Sequence, residues 1–132
     1  MQDSPNPDQL LQAVARYLRD EAGPALARTG ESALAYQAKV AANMLDIAGR
    51  QMANAPADEA AEHARLVALL GQAGPLTRLN QRLAERIADA SLATDTPGLA
   101  DHLWLTTLAK LAADQPGYDT YRRHAGTAPQ KD

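Results

Sequence analysis

The sequence predicts an all-α fold, an up-and-down bundle of four to five antiparallel helices. Three observations predict it. Alanine and leucine, both strong helix formers, dominate a chain that has no phenylalanine. Proline and glycine fall at intervals that cut the chain into segments of helical length. Within those segments apolar residues recur every three or four positions, and no alternating strand pattern interrupts them.

Each segment carries its own signals. Asn6-Pro7-Asp8-Gln9 forms a capping box with proline at the first helical position. Leu10, Leu11, Val14, Leu18 and Ala22 then follow a helical period up to Gly23-Pro24, where the helix is expected to stop. A link over 25–30 precedes a second helix over about 31–54. That helix is apolar on two sides: Leu34, Ala38, Ala41, Leu45, Ala48 and Met52 on one, Tyr36, Val40, Met44 and Ile47 on the other. Pro56 opens a third helix whose expected inner face is Ala60, Ala61, Ala64, Val67 and Leu70, joined by Leu66. Gly71 to Gly74 breaks it. Pro75 opens a fourth, with a narrow stripe of Leu76, Leu79, Leu83 and Ile87. Thr96 is the expected cap of a fifth helix over about 97–115, with Leu99, Leu103, Trp104, Leu108, Leu111 and Ala112 inward.

The 132 residues fit a single helical domain, with 116–132 forming a short turn and an extended tail. The absence of cysteine removes disulfides, thiolate zinc sites and cysteine nucleophiles. The formal charge of −3 is interspersed rather than clustered, which argues against nucleic-acid binding. The polar start lacks a secretory pattern, and no apolar run reaches the ~18 residues of a membrane span, so a cytoplasmic protein is expected.

Chemistry-bearing patterns are sparse. Glu59-Ala-Ala-Glu62-His63 puts an acid and a histidine on one helical face, but a helical metal site needs matching ligands from other helices, and no second such motif exists. No metal and no cofactor are therefore expected. His102 and His124 have no partner at diagnostic spacing and read as surface or interface residues. The strongest constellation is two polar stripes. Lys39, Asn43, Asp46 and Arg50 mark the second helix; Thr106, Lys110 and Asp114 recur every four residues on the fifth. Facing each other, they would make a polar seam able to hold an anionic ligand, with Lys39, Arg50 and Lys110 as its cations. Facing water, they are two solvated surfaces.

Tyr36-Gln-Ala-Lys-Val-Ala-Ala-Asn43-Met-Leu and Thr106-Thr-Leu-Ala-Lys-Leu-Ala-Ala-Asp-Gln-Pro-Gly-Tyr118 resemble the two signature stretches of a bacterial helical domain of unknown function. Leu10-Leu-Gln-Ala-Val, Leu18-Arg-Asp-Glu, Pro24-Ala-Leu and the segment from Leu66 to Leu83 are similar to the same family. Its members occur alone, or fused to or encoded beside aminoglycoside-phosphotransferase-like kinases and acyl-CoA dehydrogenases. The resemblance implies an accessory role near acyl-CoA metabolism and supplies no catalytic residue. Three functions compete. The first is a non-enzymatic interaction module for such a kinase or dehydrogenase, with a homodimer through exposed leucines of the fourth and fifth helices. The second is a binder of acyl-CoA or another anionic metabolite at the polar seam. The third is an enzyme with Asp46 or Asp114 as base.

Overall fold

The capping box at Asn6 forms as the sequence predicts. The Asn6 side chain accepts from the Gln9 backbone at 2.9 Å, and the Asn6 backbone donates to Gln9 Oε1 at 2.9 Å. It opens α1 (Pro7–Tyr17) in a computed structural model that describes residues 4–126. The first three residues and the tail beyond Gly126, expected to be extended, lie outside the described residues. The described residues carry helices and no strand, so the chain is an all-α helical bundle, as its sequence predicts.

The expected stop at Gly23-Pro24 does not occur. From α1 the chain passes through a π-helical turn, Leu18–Ala22, directly into α2 (Gly23–Arg28). In α geometry the proline ring would collide with the carbonyl four residues back. The π turn, whose hydrogen bonds reach five residues back, accommodates it, and the Gly23 amide donates to the Leu18 carbonyl. The expected link over 25–30 shrinks accordingly. Gly30, at φ +83°, takes a left-handed conformation that costs glycine nothing, and Glu31 then donates back to the Leu26 carbonyl at 2.9 Å.

The expected second and third helices are one helix, α3 (Ser32–Leu70), with Pro56 inside it. An interior proline removes one backbone hydrogen bond and costs about 3 kcal/mol. The alanines that flank it, Ala53, Ala55, Ala57, Ala60 and Ala61, are strong enough helix formers to carry the helix through. The chain separates into two compact units, Met1–Asn54 and Ala55–Asp132.

The first unit packs through small residues. Ala15, Gly23, Ala38, Ala42 and Gly49 are buried, whereas Leu10 and Val14, expected to face inward, are exposed. A side chain on Gly49 would lie 3.2 Å from Asp8 Oδ1, which shows how closely the start of α1 approaches α3. Gly23 is tighter: a Cβ there would sit 2.9 Å from the Leu18 carbonyl oxygen, a backbone atom that cannot swing aside. Gly23→Ala should therefore destabilise the chain by about 1–3 kcal/mol, despite alanine's better helix propensity. Thermal unfolding followed by circular dichroism checks this, and an unchanged or raised Tm would show that the carbonyl yields.

The second unit holds the large apolar core. Leu66, Leu79, Leu83, Leu92 and Leu99 are buried together, with Val67, Leu69, Leu70 and Leu76 packed against them. Leu66 is fully buried, while Ala60, Ala61 and Ala64, expected inside, are exposed. In α4 (Leu76–Ala88), opened by Pro75, the predicted stripe buries at Leu79 and Leu83 and leaves Ile87 exposed. After α4 the chain turns at Ala90, φ +58°, where the Asp89 carboxylate accepts from the Ser91 amide at 2.9 Å. Hydrogen bonding to Ser91 holds the Asp89 carboxyl below its ordinary pKa.

Thr96 does not cap the next helix with its side chain. Its hydroxyl donates to the Ala93 carbonyl at 2.6 Å, and Gly98 stands at the N-cap of α5 (Leu99–Asp114). The buried residues of α5 are Leu99, His102 and Ala113; Leu103 and Trp104, expected inward, are exposed. The expected short turn is α6 (Asp119–His124), which meets α5 through an edge-on contact of His124 with Trp104, ring centres 5.2 Å apart. Among the described residues no helix is long and apolar enough to cross a membrane.

Candidate functional site

The polar stripe of the second predicted helix lies on α3 in the first unit. Lys39 and Asn43 are exposed; Asp46 and Arg50 are half-buried. Two of the four are joined by a residue that spacing did not single out. Arg19, in the π turn, donates through Nη2 to Asp46 Oδ2 at 2.7 Å and to Asn43 Oδ1 at 3.2 Å. This pair is about one-third exposed, so its net contribution to stability is small, about 0–1 kcal/mol. Its effect is positional: it fixes the π turn against α3. The signal for Arg19 was its place beside the Gly23-Pro24 break, where a helix that continues must turn a different face to its neighbour.

The other stripe lies on α5 in the second unit. Thr106 is half-buried and accepts from Arg65 Nη2 at 3.3 Å; Lys110 and Asp114 are exposed. The cation at Thr106 is thus Arg65 of α3. Around it sits a polar cluster whose members the sequence did not bring together. His102, one turn before Thr106, is 2 % exposed, buried inside the chain itself, which corrects its expected place at the surface or an interface. Its Nδ1 has no hydrogen-bond partner, and neither has Arg65 Nε. Burial lowers the His102 pKa, the Arg65 charge lowers it further, and Glu62 acts in the opposite direction. Glu62 accepts from Asn80 Nδ2 at 2.7 Å.

Glu62 and His63 of the Glu59 to His63 motif are engaged separately in this unit rather than aimed at a common point, and Glu59 is exposed. His63 Nε2 pairs with the Gly74 carbonyl at 2.8 Å and ties α3 to the loop before α4. Among the described residues, no three histidine or carboxylate side chains converge as metal ligands. A cleft of about 280 Å³ opens beside the cluster, lined by Arg65, Asp58, Leu105, Leu108 and Tyr121 among others. Its walls are apolar and its charged groups are few.

Residues 28–118 match the family described as Domain of unknown function (DUF6285), more than half of the chain. The chain belongs to that family. No curated protein and no solved structure matches it. The stretch shared with DUF6285 takes in α3, α4 and α5, and with them Asn43, Asp46, Arg65, His102 and Thr106. Arg19 and Tyr121 lie outside it. The polar cluster of the second unit is therefore built from the DUF6285 stretch, whereas the Arg19 tether is supplied from in front of it.

Proposed function

We propose that this DUF6285 chain is a non-enzymatic accessory module that works by holding another protein. The observation that carries this reading is the inversion of size in the first unit. Its buried residues are alanines and glycines, while Leu10, Val14, Tyr17, Leu34, Tyr36, Val40, Met44 and Met52 are exposed. Single exposed apolar residues are ordinary, but contiguous large ones mark contact surfaces. Aromatic residues and methionine are the types enriched at such interfaces. The family resemblance suggests the partners, an aminoglycoside-phosphotransferase-like kinase or an acyl-CoA dehydrogenase, and a place in acyl-CoA metabolism.

Calorimetric titration of the purified chain with each class of partner tests the reading. A complex with a Kd in the micromolar range or tighter is expected. Leu10→Glu/Val14→Glu, which places two charges on the exposed face of α1, should weaken it at least tenfold. Absence of a complex with both classes would refute the assignment.

A further inference from the structure

Along the outward side of α3 in the first unit, Tyr36, Val40, Asn43 and Ile47 succeed one another at spacings of four, three and four. That is the seam pattern of a two-stranded coiled coil. Tyr36 is 69 % exposed, Val40 37 %, and Met44 beside them 64 %; Ile47 is half-buried. The opposite side of the same helix is already used, since Ala38, Ala42 and Gly49 are buried within the unit. The seam is thus a largely apolar helical surface, met within its own unit by Arg19 at Asn43 and left exposed at Tyr36 and Val40.

Charge identifies what fits it. Lys39 and Asp46 each stand one residue before a seam position, Val40 and Ile47, so they occupy the same flank seven residues apart. In a parallel pair this flank meets the opposite flank of the other helix, here Met44 and Gln51, and finds no charge. In an antiparallel pair it meets itself. The register that sets Tyr36 against Ile47 and Val40 against Asn43 also brings Lys39 of each copy to Asp46 of the other, twice by symmetry. Arg19 engages Asp46 through Oδ2, and the Asp46 side chain keeps about one-third of its surface exposed.

We propose that a second copy of this chain covers this face, α3 against α3, antiparallel and in that register. The inference rests on the reading of the first unit as a protein-contact surface, and it names the occupant of one of its faces. The absence of native cysteine makes the test clean. Light scattering of the full chain should give a dimer, and Val40→Glu/Ile47→Glu a folded monomer by circular dichroism. Tyr36→Cys/Ile47→Cys should cross-link into a covalent dimer on mild oxidation. Tyr36→Cys alone should not, because eleven residues of helix set the two thiols about 16 Å apart along the axis. Cross-linking by Tyr36→Cys alone would overturn the antiparallel register. A monomeric wild-type chain that cross-links in no variant would overturn the inference altogether. If that monomer still binds a kinase or dehydrogenase, the accessory role stands without self-pairing; if it binds neither, both fall.

Discussion

Leu66→Ala should destabilise the chain by about 2–5 kcal/mol, the largest effect expected of any single substitution described. Leu66 is fully buried and is surrounded by Leu79, Leu83, Leu92 and Leu99, which come from α4, the following loop and the start of α5. Truncation removes apolar area and leaves a cavity that three separate segments would have to close in on. Rigid helices collapse poorly around such a void, so the cost should fall in the upper half of that range. The Tm should drop by on the order of 10 °C. Leu66→Met, which nearly conserves volume, should cost less than about 1.5 kcal/mol. Urea unfolding of both variants decides the matter, and equal losses would show that shape rather than volume governs the site.

Acidification should weaken the fold through His102. Desolvation, followed by the neighbouring Arg65 charge, pushes the pKa of the folded histidine below the ordinary 6.5, with Glu62 opposing. The sign follows from linkage. Above 6.5 the ring is neutral in both states and contributes no pH dependence. As pH falls below 6.5 the unfolded chain takes up the proton first, so stability is lost until the pH has passed below the folded pKa. The slope for one such group is limited to about 1.4 kcal/mol per pH unit. His102→Leu should remove that slope between pH 7 and 5. At pH 7 it should be neutral or stabilising, because the buried Nδ1 has no partner to lose. Urea unfolding at several pH values, compared between the two chains, isolates the histidine from the carboxylates common to both. Identical slopes would assign the acid sensitivity elsewhere.

Much of the local structure was legible because a single chemical cause fixed it. The Asn6–Gln9 box, the break from Gly71 to Pro75 and the burial of Leu79 and Leu83 all follow from residues within one or two turns of each other. Two proline positions misled for one reason. Proline reports a local cost, and a helix can absorb it, by a π turn before Pro24 and by strong neighbours around Pro56. The face of α5 was not legible because leucines lie all around it, so periodicity prefers no direction. The buried side was set instead by what Arg65 and Leu66 present from α3, information remote in sequence. The candidate site suffered in the same way. Asn43, Asp46 and Thr106 were recognisable as polar positions on helices, but their partners Arg19 and Arg65 were fixed only by the packing of other segments.

The π turn at Leu18–Ala22 has a consequence for how this chain can vary. It holds one residue more than an ordinary helical turn, like a slack link in a chain. Losing that residue would restore regular winding and swing everything beyond it by about 100° about the helix axis. Arg19 would then point away from Asp46, and Gly23 would no longer be the residue facing Ala38. Relatives that keep this arrangement should thus show a fixed number of residues between Tyr17 and Pro24, even where their identities drift.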